Sequence, residues 1–299
     1  MIFAEGLASP ETPVFMADAS LLVVETAVTR GTVTLISADG RVARPIAHTG
    51  RPNGLALAQD QRVWVAESLK PSLVRATFDG ATDVMATESS AGPFLFPNDL
   101  CFDSEGWLYM TDSGFIFEEL VQGGKVRDDF ATMKYDGKLY RFNIRTMEIA
   151  VLDTGLQFAN GVVLGPDGEL YVNETLTGLV WRYQPRGNGA FSDRRRFGAV
   201  FNDPSTERLS GPDGMAVAVD GSVYAAIWGR GEVTVQDSSG RVIDRIRTAG
   251  NRPSNIAFGP DSEKAIYVTE QELGIVERFD VPTSGCPVYV GPALASMQG

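Results

Sequence analysis

Histidine and cysteine are almost absent from this chain of 299 residues. His48 is the one histidine, so Ser-His-Asp or Cys-His catalysis would have to use it, and no G-x-S-x-G turn is present to carry a nucleophilic serine. The two cysteines, Cys101 and Cys286, provide neither a disulfide framework nor a CxxC zinc motif. We therefore expect a structural, partly exposed His48, a core position for Cys101 and an incidental thiol at Cys286.

Positive charge is also scarce. The chain has 26 Lys and Arg residues but 38 Asp and Glu residues, which gives a net charge of −12. This balance argues against nucleic-acid binding, which depends on clustered basic residues, and no glycine-rich loop is placed to cradle phosphate. The acidity suits a cation site, although it is equally accounted for by solubility. No apolar run approaches the length of a membrane span, about 18 residues, and the N-terminus lacks a basic, apolar leader, which predicts a soluble cytoplasmic protein without a membrane partner.

A short phrase recurs six times, and each copy begins with a polar residue that we call a marker. The copies are Glu11-Thr-Pro-Val-Phe, Asn53-Gly-Leu-Ala-Leu, Asn98-Asp-Leu-Cys-Phe, Asn160-Gly-Val-Val-Leu, Asp213-Gly-Met-Ala-Val and Ser254-Asn-Ile-Ala-Phe. The steps between markers are 42, 45, 62, 53 and 41 residues. Strand-like repeats of this period predict an all-β, six-bladed β-propeller with four antiparallel strands per blade around a central channel, formed as a single domain by residues 1–299.

Each phrase opens a predicted hairpin, as in the fourth copy, where the turn Gly165-Pro-Asp-Gly separates two apolar runs. Acidic residues recur at the end of the second predicted strand of these hairpins. They are Glu25, Glu67, Asp112, Glu174 and Glu270, with Ile227 in the fifth repeat. This spacing predicts an acidic layer beside the markers, either accepting backbone N–H groups or tuning a metal. The segment from Met1 to Leu7 is a candidate for the missing outer strand of the last blade.

The longer steps indicate insertions between Gly114 and Gly137, around Pro185 to Ser192, and from Asn202 to Gly211. The first and last of these are predicted to emerge on the marker face. Long loops in compact domains are usually functional or disordered, and a lid over a pocket is the interpretation that we prefer to a passive loop.

A propeller brings its six markers into one ring of oxygen-bearing side chains. Two carboxylates and two amides form a donor set that hard cations such as Ca²⁺ prefer, and these are Glu11, Asn98, Asn160 and Asp213. Asn53 and Ser254 complete the ring and are predicted to contact substrate or water. In the alternative interpretation, the markers only cap the channel by hydrogen bonding to strand starts.

These residues resemble the senescence-marker-protein (regucalcin), gluconolactonase and luciferin-regenerating-enzyme-like family of six-bladed propellers. The similarity lies in the opening Glu11-Thr-Pro-Val-Phe, in Pro97-Asn-Asp, in Ala159-Asn-Gly and in Pro212-Asp-Gly-Met. The resemblance implies one divalent cation held by Glu11, Asn160 and Asp213, with Asn98 binding either the metal or substrate and water. Ca²⁺ is the expected ion, with Mn²⁺, Mg²⁺ or Zn²⁺ as substitutes.

Two positions depart from the family pattern. Thr12 stands where the family usually has glycine, which we interpret as a mild change. Phe96 stands where sugar-lactone members carry an arginine that contacts substrate hydroxyls. Further aromatic residues fall near the marker face by register, namely Phe94, Phe115, Phe117, Phe158 and Trp228. We therefore predict a substrate pocket more apolar than a sugar site, with Phe96, Phe115, Phe158 and Trp228 among its lining residues.

The favoured function is a metal-dependent lactonase that opens a cyclic ester, with Asp213 assisting proton removal, Asp99 as the second candidate and Asn98 next to the reacting groups. A phosphotriesterase-like hydrolase, in which Asp213 is the nucleophile, is one alternative. A non-catalytic, calcium-binding or interaction propeller is another. The expected partner is a small lactone or ester, and the expected assembly is a monomer or a small homo-oligomer.

Overall fold

The computed structural model describes residues 1–205 and 207–293, which form six four-stranded antiparallel sheets. This confirms the all-β, six-bladed propeller with antiparallel strands. That residues 1–299 form a single domain stays a prediction.

The strands of the first five sheets follow one another outward in chain order from the central channel, and the outer strand of the last sheet comes from the start of the sequence. The innermost strands are Pro10–Phe15, Pro52–Leu57, Pro97–Phe102, Ala159–Leu164, Gly211–Val217 and Pro253–Phe258. The second strands are Leu21–Glu25, Val63–Glu67, Trp107–Asp112, Leu170–Glu174, Val223–Trp228 and Ala265–Glu270. The third strands are Thr32–Ile36, Ser72–Ala76, Gly137–Asn143, Leu179–Tyr183, Glu232–Gln236 and Ile275–Asp280. The outer strands are Ala43–His48, Thr82–Ala86, Glu148–Leu156, Arg195–Ala199, Val242–Arg247 and, in the last blade, Ile2–Ala4.

The hydrophobic core lies between neighbouring blades. Trp64 and Leu73 of the second blade, for example, pack in one buried cluster with Leu100 and Met110 of the third. The innermost and second strands are apolar on both faces because each blade is covered by its two neighbours, whereas the outer strands expose one face. His48 is exposed at the end of an outer strand, with its Nδ1 3.3 Å from the Arg30 carbonyl oxygen, and the structural role expected for it stays a prediction.

The N-terminal strand closes the propeller, as the sequence predicts. Ile2–Ala4 pairs with Ile275–Asp280 in the last blade, and the Arg278 backbone N–H donates to the Met1 carbonyl at 2.8 Å. Ala4 and Leu7 are buried in the cluster that joins the last blade to the first. The two ends of the repeat array are therefore joined by backbone hydrogen bonds and by apolar packing.

Deletion of residues 1–7 is expected to destabilise the protein by about 3 kcal/mol or more, because it exposes the edge of Ile275–Asp280 and removes the buried Ala4 and Leu7 side chains. Chemical unfolding monitored by tryptophan fluorescence measures this loss. Substitution of the exposed Val84 on another outer strand is the control and should leave the unfolding midpoint nearly unchanged. An unchanged midpoint in the deletion variant would contradict the closing role of this strand.

The insertions occupy both ends of the propeller. Between Gly114 and Gly137 lie an α-helix at Phe117–Leu120, a small hairpin of Val121–Gln122 with Lys125–Val126, and a 3₁₀-helix at Phe130–Thr132. The connection 202–211 also leaves from the marker end, and its residue 206 falls outside the described residues. A hairpin of Pro185–Gly187 with Ala190–Phe191 lies at the opposite end, and a further hairpin pairs Glu88–Ser89 with Gly92–Pro93.

Below the marker ring, the central channel widens into a cavity of about 510 Å³. The segment 285–290 lines it at the end away from the markers, held by isolated bridges such as Phe102 to Tyr289. Cys101 and Cys286 are both partly buried on its wall, and burial is the main cause that raises the pKa of each thiol. None of the helices within residues 1–205 and 207–293 has the length and apolar character needed to cross a membrane.

Candidate functional site

The hairpin register brings all six markers to one end of the channel. In each blade, the residue before the marker pairs with the last or next-to-last residue of the second strand, and the pairs are Pro10–Glu25, Pro52–Glu67, Pro97–Asp112, Ala159–Glu174, Pro212–Ile227 and Pro253–Glu270. The acidic residues therefore stand beside the markers on the same face.

The acidic layer has a structural role at the blade junctions. Glu25 accepts the Ala8 backbone N–H at 2.6 Å, and Asp112 accepts those of Leu95, Phe96 and Gly114 at 2.8–3.0 Å. Glu67 and Glu270 bind backbone N–H groups in the same way, and Glu174 accepts the indole N–H of Trp181. These contacts favour the first of the two sequence interpretations, since the carboxylates replace backbone partners where the chain turns into each inner strand.

Two hydroxyl groups fix the orientation of the marker amides Asn98 and Asn160. Ser113 Oγ donates to the Ala159 carbonyl at 2.8 Å and accepts Asn98 Nδ2 at 3.0 Å. Thr175 Oγ1 donates to the Pro212 carbonyl at 2.9 Å and accepts Asn160 Nδ2 at 3.1 Å. Because each hydroxyl has one hydrogen and uses it on a carbonyl of the next blade, each amide must present its NH₂ group to the hydroxyl. The amide oxygens then face away from these junctions.

The oxygen of Asn160 is buried and has no hydrogen-bond donor among the residues that the structure describes. A buried amide oxygen without a donor costs free energy unless a ligand satisfies it, and a hard cation is one such ligand. Within residues 1–205 and 207–293, no three His, Cys, Asp or Glu side chains are positioned to hold a metal by themselves. Amide oxygens such as this one would therefore have to complete the coordination, and the donor chemistry of the markers fits a divalent ion.

Three carboxyl groups lie together at the ring, and burial is the main cause that raises the pKa of each. Burial raises the pKa of Glu11 well above its usual range, and the charges of Asp213 and Asp99 raise it further. Burial also raises the pKa of Asp213, against a lowering effect of the Asn160 amide, and the pKa of Asp99 to about 6. Glu11 and Asp99 are 2% and 5% exposed, whereas Asp213 is half-buried. A cation between such groups would lower all three pKa values.

A second ring lies one residue after the markers, and the sequence pointed to Thr12 and Asp99 individually but not to the ring that they form. Its members are Thr12, Gly54, Asp99, Gly161, Gly214 and Asn255. A Cβ on Gly54 would lie 2.6 Å from the Asp99 Cα, and one on Gly214 would lie 1.9 Å from Asn255 Cγ, so the glycines make room for the polar members. Asn255 Nδ2 donates to Thr12 Oγ1 at 3.2 Å, and both residues line the cavity below together with Asp99. The available signal was that this position carries either glycine or a polar residue in every repeat.

Asp99 belongs to this second ring and is held by the backbone. Its two oxygens accept the N–H groups of Leu100 at 2.9 Å and Val162 at 3.1 Å. Because both oxygens already accept hydrogen bonds, Asp99 is less free to take a proton from water than the half-buried Asp213. Its catalytic role stays a prediction.

Thr12 is more than a mild departure from glycine. Its φ of +41° places a β-branched residue in the left-handed region, where such residues are rare and strained. Its hydroxyl donates to the Asn53 carbonyl at 3.0 Å and accepts the Asn255 amide, linking three blades. These two hydrogen bonds offset part of the backbone cost, which glycine would avoid at this position.

The remaining ring and pocket residues lie at the same end of the channel. Asn53 is half-buried, and Ser254 is fully buried with its hydroxyl donating to the Pro10 carbonyl at 2.8 Å. Trp228 is half-buried and donates its indole N–H to Gln271 Oε1 at 3.1 Å. Their roles in substrate binding stay predictions.

Three of the four aromatic residues predicted for the pocket form one cluster with the first insertion, and Trp228 lies outside it. Phe96 and Phe115 stack with ring centroids 4.8 Å apart, and Phe158 meets Phe115 edge-to-face at 4.7 Å. Tyr135 of the insertion and Leu209 of the connection 202–211 pack against the same cluster. Phe158 has a φ of +67°, so its backbone is bent into an unusual conformation immediately before Ala159. The two marker-end insertions thus share an apolar contact beside the ring.

Replacement of Thr175 by valine is expected to reduce the affinity for a divalent cation about tenfold, because the Asn160 amide loses the acceptor that orients it. Calorimetric titration with Ca²⁺ measures the affinity. Thr26→Val is the matched control, since the Thr26 hydroxyl occupies the equivalent position in the first blade but donates to Ser9 within its own blade. Equal affinities for the two variants would show that the hydroxyl does not position a ligand.

The chain is similar to known proteins in sequence and in structure. A sequence model described as the SMP-30/Gluconolactonase/LRE-like region matches residues 9–272. A gluconolactonase from Zymomonas mobilis is 27% identical over 217 residues, covering 69% of this chain and 57% of the relative. Pentonolactonase XacC from Haloferax volcanii is 30% identical over 202 residues, covering 60% and 67%. The chain thus matches little more than half the length of the Zymomonas relative.

Solved structures share the fold at low sequence identity. A gluconolactonase from Xanthomonas campestris has a TM-score of 0.75 and 22% identity, covering 94% of this chain and 89% of that one. A regucalcin from Agrobacterium tumefaciens, described as a calcium-binding protein, has a TM-score of 0.74 and 17% identity, covering 98% and 96%. At these identities the similarity demonstrates the propeller architecture.

Proposed function

Because this chain belongs to the SMP-30/gluconolactonase/LRE-like family, we propose that it is a metal-dependent lactonase that hydrolyses a cyclic ester to a hydroxy acid. The observation that carries the proposal is the Asn160 oxygen, which is buried, oriented by Thr175 and without a donor, next to the carboxyl groups of Glu11 and Asp213. The names of relatives from Zymomonas and Haloferax support the same reaction class.

The residues that would hold the cation are the four markers Glu11, Asn98, Asn160 and Asp213. Ca²⁺ suits this oxygen set best, and Mn²⁺, Mg²⁺ or Zn²⁺ are possible substitutes. When bound, the cation supplies Lewis-acid polarisation of the lactone carbonyl and stabilises negative charge on its oxygen. The description of the Agrobacterium regucalcin as calcium-binding agrees with this choice.

Asp213 is the proposed proton acceptor. It is half-buried, whereas Glu11 and Asp99 are almost fully enclosed, so it is the carboxylate of the three that water reaches most easily. In the proposed reaction, water attacks the carbonyl carbon as Asp213 takes one of its protons, and the bond between this carbon and the ring oxygen then breaks. The proton passes to the departing alkoxide, which leaves the hydroxy acid.

The remaining predicted site residues are assigned to substrate positioning. Asn53, Trp228 and Ser254 lie at the marker end, where the first two are partly accessible. Phe96, Phe115 and Phe158 form the apolar wall beside Asn98 and Asn160, and the marker-end insertions cover it. We propose that these insertions limit the access of bulk water.

The test compares aliphatic, aromatic and sugar lactones with phosphotriesters, each with and without a chelator. Chelator-sensitive hydrolysis of at least one lactone class is the expected result. Preferred hydrolysis of phosphotriesters would instead favour the second enzyme class, with Asp213 as nucleophile. Hydrolysis of none of these compounds even after Ca²⁺ is added, in protein that also contains no metal when purified, would overturn the proposal in favour of a non-catalytic propeller.

A further inference from the structure

Arg51 stands at the mouth of the marker ring, two residues before Asn53. In five blades, the carbonyl of the residue two positions before the marker accepts a backbone N–H at 2.9–3.0 Å from the residue that follows the second strand. The five accepting residues are Ser9, Arg51, Phe96, Phe158 and Arg252. Their side chains therefore begin at equivalent points around the ring. Arg51 occupies in the second blade the place that Phe96 occupies in the third.

The guanidinium of Arg51 lies at one end of a column of stacked aromatic rings. It lies 3.6 Å from the ring centroid of Phe117, which stacks on Phe96 at 5.9 Å and 13°. Phe96 in turn stacks on Phe115 at 4.8 Å and 19°. This column joins the second blade to the first insertion, and it places a cationic group against Phe117, which is partly exposed and is backed by the buried Phe96 and Phe115.

Arg51 has an unused hydrogen-bond donor. Its Nη1 is buried and has no acceptor among residues 1–205 and 207–293. The charges of Glu118, which is exposed, and of Glu67 both reach Arg51. Glu67 Oε1, however, accepts the backbone N–H groups of Arg51 and Leu69, and Glu67 Oε2 is without a donor among the described residues. Arg51 and Glu67 are therefore not hydrogen-bonded through these atoms. A buried guanidinium nitrogen without an acceptor is costly, and an anionic ligand would satisfy it.

We infer that the substrate is a lactone carrying a free carboxylate on an apolar or planar body, with Arg51 binding the carboxylate and the Phe117, Phe96 and Phe115 column forming the wall for the body. The inference rests on the proposed lactonase function and names its substrate class. An anionic substituent would be repelled by Glu11, Asp99 and Asp213 unless a cationic group received it. The flat guanidinium of arginine matches the two oxygens of a carboxylate.

The test uses three lactones that share one ring and carry a carboxylate, a carboxamide or a hydroxymethyl group at the same carbon. Wild-type protein is expected to hydrolyse the carboxylate compound with a kcat/KM about 10- to 100-fold above the other two. Arg51→Met should remove this preference while it retains hydrolysis of the carboxamide compound. Arg51→Lys, which keeps the charge without the planar fork, should retain a smaller preference.

Arg230→Met is the matched control. Arg230 also stacks on a phenylalanine, at 3.8 Å from the Phe201 centroid, but it already donates to the Asp203 carbonyl at 2.8 Å. This variant should keep the wild-type preference. If Arg51→Met fails to fold, the comparison of the three lactones in wild-type protein, at low and high ionic strength, decides the question because a charge-based preference falls with salt.

The possible results separate the two proposals. Hydrolysis of the three lactones without preference for the carboxylate, or with preference for the hydroxymethyl compound, overturns the inference and leaves the lactonase function standing. A preference that survives in Arg51→Met also overturns it. Hydrolysis of no lactone of any class, including those of the wider assay, is a failure of the proposed function itself.

Discussion

Replacement of Asp213 by asparagine is expected to reduce kcat/KM for a lactone at least about a hundredfold with the fold retained, because the amide cannot accept a proton from the attacking water. The substitution keeps the size of the side chain and one oxygen that can face a cation. Asp213→Ala, which also removes that oxygen, should abolish turnover. Steady-state kinetics measure both effects, and circular dichroism checks that the fold is retained.

Asp244→Asn is the control for Asp213→Asn, since Asp244 is exposed on the outer strand of the same blade. It should retain full activity. Near wild-type turnover of Asp213→Asn with metal bound would remove Asp213 from the reaction. Asp99→Asn would then be the next variant to measure, although Asp99 already accepts two backbone N–H groups.

Removal of divalent cations by a chelator is expected to abolish lactone hydrolysis and to lower Tm by about 5 °C or more. A ligand at about one hundred times its Kd stabilises the folded state by about 2.7 kcal/mol, and the loss should be visible for a chain of this size. The physical cause is that Glu11, Asp99 and Asp213 are buried together, and without a cation they share protons or repel one another. Calorimetry before and after chelation measures the change.

Asn160→Ala distinguishes binding at the ring from binding elsewhere. Its Tm should no longer respond to Ca²⁺, and its activity should be lost. Asn143→Ala is the control, because the Asn143 amide lies in a turn of the third blade and accepts the Arg145 backbone N–H at 3.0 Å. A Ca²⁺-dependent Tm that persists in Asn160→Ala would place the ion at a different position.

The architecture and the location of the candidate site could be predicted from the sequence because the markers recur with a regular hairpin. The hairpins share one register. Glu25 therefore lies beside Glu11 in the first blade in the same way that Glu174 lies beside Asn160 in the fourth. Regular backbone pairing thus converts spacing along the chain into position in space. The closing strand at Ile2–Ala4 follows from the same count of strands.

The contacts between blades could not be predicted in this way. Thr26 and Ser113 occupy the same register position, yet the Thr26 hydroxyl donates within its blade and the Ser113 hydroxyl donates to Ala159 of the next blade. Which of these bonds forms depends on the distance between sheets and on the side chains that fill the gap, and neither is encoded in the repeat. The segment 285–290, which lines the channel, carries no repeat and was not anticipated.

The closure of the last blade has a consequence for the order of synthesis. Ser254 donates to the carbonyl of Pro10, next to Glu11, across 244 positions of the chain, and Ile2–Ala4 pairs with Ile275–Asp280. Glu11 leaves the ribosome long before Ser254, and its neighbours in the ring are completed only after Asp280 has emerged. A nascent chain, or a product cut short within the last blade, would therefore contain several finished sheets and no assembled ring. Such long-range closure also predicts slow folding relative to helical proteins of the same length.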